Sequence, residues 1–276
     1  MTLPFPLVRL LRGARWSWVA ERHRDHLPPD LDERVMDLKS DDRQHVKQGR
    51  STARFRFDDG RLPVYLKRHD RLPLAARLGA LLRPGVGHTP GSAEWAHLER
   101  VRALGIAVPE VVAVGERIGP WGRLQSYLMV RELVGQDELN NALPRLADSM
   151  SEAEFIRWKR ELIAEMARIV VGLHSRRLFH KDLYLCHFFL DEQRLAGQRL
   201  TLIDLHRLAH HRWLAFRWRR KDLGQLLFST MDVAGIDDRD RLRFWSHYRR
   251  GMGRSLPRRE WLAVRRKADR YLEHNR

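Results

Sequence analysis

The chain has 276 residues, with 52 Lys and Arg against 35 Asp and Glu, a formal charge of +17, nine Trp and a single cysteine, Cys186. This length and aromatic content call for one large or two modest folded lobes and exclude a disordered polymer. One cysteine excludes an internal disulfide and points to a reducing compartment, and no apolar run approaches the roughly 18 residues that a spanning helix needs.

The excess of cations implies an acidic partner. An anionic membrane face and a phosphorylated substrate both fit. Nucleic acid is not expected, because no recognised nucleic-acid module is present. The N-terminal segment "MTLPFPLVRLLRGARWSWVAERH" is interrupted by Arg and lacks a small-residue cleavage site, so it is not expected to be a secretory signal. Within it, Leu7–Arg22 predicts a basic amphipathic helix suited to lying flat on lipid.

Next in the chain, "STARFRF" alternates as a strand, Asp58–Gly60 supplies a turn, and "PVYLKRH" forms a second strand. Ahead of them, Gly49 in "HVKQGRS" marks a turn between extended pieces. Ala93, Leu98, Val101 and Leu104 recur at helical spacing, Gly105 closes that helix, and Pro109 starts an extended segment. "SYLMVREL" at 126–133 reads as a buried strand. The character then changes. Ser151 with Glu154 forms the capping box of a long helix, two short apolar strands "HFFL" and "LTLI" meet through a turn near Gly197, and helices follow to the end. Strands in the first half and helices in the second predict an α+β fold of two lobes, 1–130 and 131–276.

Two acids stand at the ends of that short hairpin, Asp182 in "HKDLYL" and Asp204 in "LTLID". Transfer of a phosphoryl group to a hydroxyl asks for an acid on the hydroxyl proton, a metal ligand, a cation on the phosphates and an anchor for that cation. Asp182 suits the first task and Asp204 the second. Lys67, ending "VYLK", suits the third, and Glu94 near a helix start suits the fourth, with Glu99 as its competitor. Gly49 with the hydroxyl of Ser51 or Thr52 would contact phosphate, although one glycine makes a weak phosphate loop. Each residue also has a plainer reading: a turn Asp, a strand-end Asp, a surface Lys, an ordinary turn at "KQGRS". Cys186 reads as a buried spectator. The stretch "HHRWLAFRWRRK" at 210–221 reads either as aromatics packed on the second lobe or as a platform for an anionic acceptor.

The order Gly49, Lys67, Glu94, Asp182, Asp204, with Asp222 opening a later helix, follows the protein-kinase arrangement. More specifically, "HKDLYLCHFFL" followed by "LIDLHR", together with "VKQGRST", "AEWAHLERVRALGI" and "RWRRKDLGQLLFSTMD", closely resembles the lipopolysaccharide core heptose kinases of the WaaP (RfaP) family. The resemblance implies a protein-kinase-like fold with a sheet-rich N-lobe, a helical C-lobe and ATP in the cleft between them. It implies phosphorylation of a sugar hydroxyl, usually a heptose of the inner core, by a cytoplasmic enzyme peripheral on the inner membrane of a Gram-negative cell. Acyl carrier protein enters as a partner on the same ground. Lys181 stands where most members have Arg, and Leu183 where they have Cys. His187 occupies the position of a metal-binding Asn in ordinary protein kinases; imidazole suits Mn²⁺ better than Mg²⁺, which prefers oxygen. The rival expectations are a protein or small-molecule kinase of another branch and a kinase-like, membrane-associated scaffold without turnover.

Overall fold

The computed structural model describes residues 13–39, 43–47, 50–69, 88–119, 124–253, 256 and 258–274. The chain divides into two compact units, one of Met1–Arg100 with Pro109–Glu132 and one of Val101–Val108 with Leu133–Arg276.

In the first unit, strands β1 (Ala14–Val19), β2 (Arg43–Lys47), β3 (Arg50–Phe57) and β4 (Leu62–His69) precede helix α1 (Pro90–Arg102) and strands β5 (Val111–Ile118) and β6 (Leu124–Arg131). They form one six-stranded sheet in the order β1-β5-β6-β4-β3-β2, antiparallel at every pairing. The amphipathic helix expected over Leu7–Arg22 is corrected here: Ala14–Val19 is an edge strand on β5, and the residues before Gly13 lie outside the described ones. The physical reason is local. Arg15 and Ser17 alternate with Trp16 and Trp18, a period of two, and both indoles pack on Trp95, at ring separations of 5.6 and 5.2 Å.

Alternation along β4 decides what faces the core. Leu62, Val64 and Leu66 are buried and pack with Val112, Ala113 and Met129 of the neighbouring strands and with Leu27, Leu31 and Val35 from a short helical turn. The same parity turns Arg68 inward. Its Nη1 donates to the carbonyls of Val35, Met36 and Leu38 at 3.3, 3.1 and 2.7 Å, and its Nε donates to Ser51 Oγ at 3.2 Å. A buried guanidinium is tolerable because its donors meet acceptors at the C-terminal end of that turn, where the backbone dipole favours a cation. Lys67, one residue earlier, must therefore point to the opposite face.

The second unit continues with the two-residue strand β7 (Asp137–Glu138) and helix α2 (Leu139–Ser149), neither of which is among the elements expected from sequence. Pro144 sits inside that helix and blurs its pattern. Helix α3 (Glu152–His174) starts at the expected Ser151–Glu154 capping box and buries Leu162, Ile163, Met166, Ile169, Val170 and Leu173. Then follow β8 (Leu178–Phe179), β9 (Phe188–Leu190), β10 (Leu200–Leu202), β11 (Ala209–His210), and helices α4 (Ala215–Phe228), α5 (Asp238–Gly251) and α6 (Arg258–His274). β9 and β10 form the anticipated hairpin, extended by β7, while β8 pairs with β11.

Arg68→Leu keeps the apolar stem and removes the donors, leaving several buried oxygens without partners. Urea unfolding of this variant should show a loss of about 1–3 kcal/mol, with Arg68→Lys in between. Unchanged stability would mean that these hydrogen bonds do not hold the sheet to the preceding segment.

Candidate active site

In the first unit the candidate side chains are a cation on a strand and an acid on a helix. Lys67 Nζ donates to Glu94 Oε1 at 2.5 Å, and Glu94 is 2% exposed. Glu99, one turn further along α1, is exposed. An enclosed carboxylate at this distance fixes the ammonium at one place instead of leaving a four-carbon stem to wander. Ser51 lies on β3; its Oγ accepts from Arg68, so the hydroxyl proton is still available to donate. Gly49 lies outside the described residues.

In the second unit the site is built around a loop, His180–Lys181–Asp182, between β8 and β9. Its brace is Asp222 on α4, which is fully buried. Asp222 Oδ2 accepts from the backbone N–H of His180 and Oδ1 from that of Lys181, each at 2.8 Å. Lys181 takes φ 71°, a left-handed conformation that L-residues with a Cβ seldom adopt. His174 Nε2 also reaches Asp222 Oδ2 at 3.3 Å, and its Nδ1 lies 3.0 Å from the Tyr248 hydroxyl.

The same face of α4 supplies two more supports at helical spacing. Gln225 Oε1 accepts from Leu183 N at 3.3 Å and Ser229 Oγ accepts from Leu185 N at 2.9 Å. The loop backbone is thus satisfied by side chains at 222, 225 and 229. Only Asp222 was singled out from sequence. The spacing i, i+3, i+7 of polar residues in "KDLGQLLFS" is a signal that could have found the other two.

Asp182 follows directly. Arg207 Nη1 reaches Oδ2 at 2.8 Å and Oδ1 at 3.0 Å, Lys221 Nζ lies 3.7 Å from Oδ1, and Gln225 Nε2 donates to Oδ1 at 3.4 Å. Lys221 also donates to the Lys181 carbonyl, and burial holds its ammonium below the usual lysine range, partly countered by Asp182. Arg207 lies three residues past Asp204 in the chain, and its guanidinium sits on Asp182. Both partners arrive from outside the loop, which spacing within the motif cannot reveal.

His187 and Asp204 stand together. His187 Nδ1 lies 2.6 Å from the carbonyl oxygen of Asp182, which can only accept, so Nδ1 carries a proton and, in the neutral ring, Nε2 holds the lone pair. That lone-pair nitrogen is 3.8 Å from Asp204 Oδ2. Asp204 is itself left-handed, at φ 59° and ψ 54°, and its Oδ1 receives His206 Nδ1 at 2.5 Å. His180 lies beneath, fully enclosed, its Nε2–H donating to Ile203 O at 2.9 Å and its ring stacked 5.5 Å from His187. Burial lowers the His180 pKa, which keeps this ring neutral and structural. Cys186, half-buried, has its thiol pushed up by burial, away from thiolate chemistry.

Among the described residues no three His, Cys, Asp or Glu side chains gather as a closed metal cage. One imidazole nitrogen beside one carboxylate suits instead a divalent ion that takes the rest of its shell from phosphate oxygens and water. The donor set therefore fits a nucleotide-bound metal and does not fit a structural one.

Comparison with known proteins follows the same line. The family model described as the lipopolysaccharide kinase (Kdo/WaaP) family matches residues 47–248. The chain is 35% identical over 170 residues to the lipopolysaccharide core heptose(I) kinase WaaP of Pseudomonas aeruginosa, covering 60% of this chain and 62% of that protein. It is 31% identical over 200 residues to the protein of the same name from Escherichia coli, covering 70% and 72%. Among solved structures, WaaP in complex with acyl carrier protein superposes with a TM-score of 0.67 at 28% identity, over 94% of this chain and 97% of that one. The match takes in the Lys67–Glu94 pair, the loop braced by Asp222 and the His187–Asp204 pair alike, and the chain belongs to the lipopolysaccharide kinase (Kdo/WaaP) family of kinases with the protein-kinase-like fold.

Proposed function

We propose that this kinase transfers the γ-phosphoryl group of ATP to a heptose hydroxyl of the lipopolysaccharide inner core. The observation that carries the reading is the fixed loop: Asp182 presented by a backbone forked onto buried Asp222, with the His187 lone pair and the Asp204 carboxylate side by side. The names borne by the relatives supply the sugar.

Each residue has a task that its chemistry suits. Lys67, held by Glu94, grips phosphate oxygens, and the Ser51 hydroxyl donates to them, with Gly49 as a further phosphate contact. Asp204 and His187 hold Mg²⁺ or Mn²⁺, which when bound neutralises phosphate charge. Asp182 accepts a hydrogen bond from the sugar hydroxyl and aligns its oxygen with phosphorus. Arg207 and Lys221 lie against the Asp182 carboxylate and fix its position for that contact.

An acyl carrier protein is the protein partner this reading favours, because the solved neighbour was captured with one and a chain of charge +17 suits an acidic protein. The acceptor is a glycolipid, so the enzyme works as a peripheral protein at the cytoplasmic face of the inner membrane. No helix among the described residues is long and apolar enough to cross a membrane.

Purified protein with ATP and dephosphorylated core acceptor should yield a product heavier by one phosphate by mass spectrometry. Asp182→Asn should lower turnover by about 10²–10⁴-fold with thermal unfolding unchanged; a variant retaining near-native rates removes Asp182 from the chemistry. Asp222→Asn, in contrast, should lower both turnover and the unfolding midpoint, because one buried acceptor of a charged fork is lost. Chelation should abolish turnover, with recovery on adding Mg²⁺ or Mn²⁺. His187→Asn replaces nitrogen by oxygen and should lower the ratio of Mn²⁺- to Mg²⁺-supported rates; an unaltered ratio places His187 outside the metal shell.

A further inference from the structure

The basic helix that sequence patterning offered to the membrane is, over Ala14–Val19, a strand whose indoles pack on Trp95. A different element has the properties of a lipid contact. Among the described residues Trp213, Leu214 and Phe216 are exposed by 78, 53 and 43%, three large apolar side chains within four positions. They form the turn from β11 into α4.

The turn is held from behind. Arg177 Nη1 donates to the Arg212 carbonyl at 2.6 Å, and His211 N donates back to the Arg177 carbonyl at 3.0 Å. The His211 ring stacks on Trp218 at 4.2 Å, and Lys181 Nζ lies over the same indole, 4.8 Å from its centroid. Leu214 adopts φ 54° and ψ 30°, a left-handed conformation unusual for leucine, and keeps its side chain in solvent. So the 210–221 stretch divides: Trp218 packs inward, whereas Trp213 and Phe216 face outward on a fixed base.

Cations surround this apolar tip. Arg212 and Arg217 are exposed, and no carboxylate among the described residues pairs with either. Behind Arg217, an open groove between α4 and α6 is lined by Arg217, Arg220, Lys221, Arg266, Lys267 and Arg270, against two acids, Asp269 and Glu273. Tryptophan, leucine and phenylalanine at a tip, with Arg and Lys around it, match the headgroup–acyl boundary of an anionic bilayer. A specific protein interface buries roughly 800 Å² on each partner, more than a four-residue turn provides.

We propose that the Arg212–Arg217 turn is the membrane-docking element, with Trp213, Leu214 and Phe216 entering the lipid boundary and Arg212, Arg217 and the α4–α6 groove facing anionic headgroups. Lys181, packed on Trp218, adjoins Asp182, so docking through this turn would set the Asp182 loop beside a lipid-borne acceptor. The purpose of the contact rests on the glycolipid-kinase reading, but vesicle binding requires no turnover, so either can fail without the other.

The test is co-sedimentation of the full chain with sucrose-loaded vesicles of phosphatidylcholine alone or mixed with phosphatidylglycerol. The native chain should bind the mixed vesicles, prefer them over phosphatidylcholine, and release as salt is raised. Trp213→Ser with Leu214→Asn should weaken binding by about tenfold or more. Asn suits the left-handed backbone, so thermal unfolding should be unchanged or higher, which separates lost contact from lost fold. Arg212→Glu with Arg217→Glu should remove the preference for phosphatidylglycerol. Native-like vesicle binding by both pairs of variants would overturn the proposal. So would variants that keep vesicles but lose capture of an acidic carrier protein, since the tip would then be a protein contact.

Discussion

Asp222 keeps its carboxylate wholly out of solvent, and both oxygens accept consecutive backbone amides, those of His180 and Lys181. Two adjacent N–H groups converge on one acceptor pair only because Lys181 is left-handed. Without that carboxylate, two buried donors would have no partner, and the strained residue would have nothing to hold it. The rest of the site hangs from this contact. Once the loop is set, the Asp182 carbonyl takes the His187 Nδ1 proton and leaves Nε2 facing Asp204. The orientation of one imidazole ring is thus set by a carboxylate two contacts away.

A comparable economy operates on β4. Two adjacent cations, Lys67 and Arg68, share a strand and take opposite faces because side chains alternate. Arg68 is enclosed and meets carbonyls; Lys67 meets Glu94. The guanidinium suits the first place because it can fork over several acceptors, and the ammonium suits the second as a point charge held by one acid. Exchanging the two would fail at both.

The large positive charge is not evenly idle. Arg219 and Arg220 share Glu260, which is nearly buried on α6; burial raises its pKa, and the two guanidiniums outweigh that and hold it ionised. Such enclosed pairs fasten α4 to α6. Beyond them, Arg212 and Arg217 are exposed at the Trp213 turn, and the groove gathers Arg266, Lys267 and Arg270 against Asp269 and Glu273. Like charges collected in this way cost stability, and the proposed anionic surface would offset that cost.

Local patterning alone determined much of this protein. Period two in "PVYLKRH" placed Lys67 on a strand face, the Ser151–Glu154 box started α3, and the short apolar runs around Gly197 formed the hairpin that carries the acids. The motif strings around Asp182 and Asp204 carried the family. Each of these signals lies within a few residues, where spacing maps directly onto geometry. Other features needed the folded chain. Arg207 and Lys221 reach Asp182 from 25 and 39 positions away, and the strings they lie in do not say which acid they meet. Trp16 and Trp18 read as part of a helix until β5 offered its edge, because an edge strand is completed by hydrogen bonds to a distant partner. Whether Trp213 or Trp218 faces water depended on which had His211 to stack against, a choice that composition leaves open and packing makes.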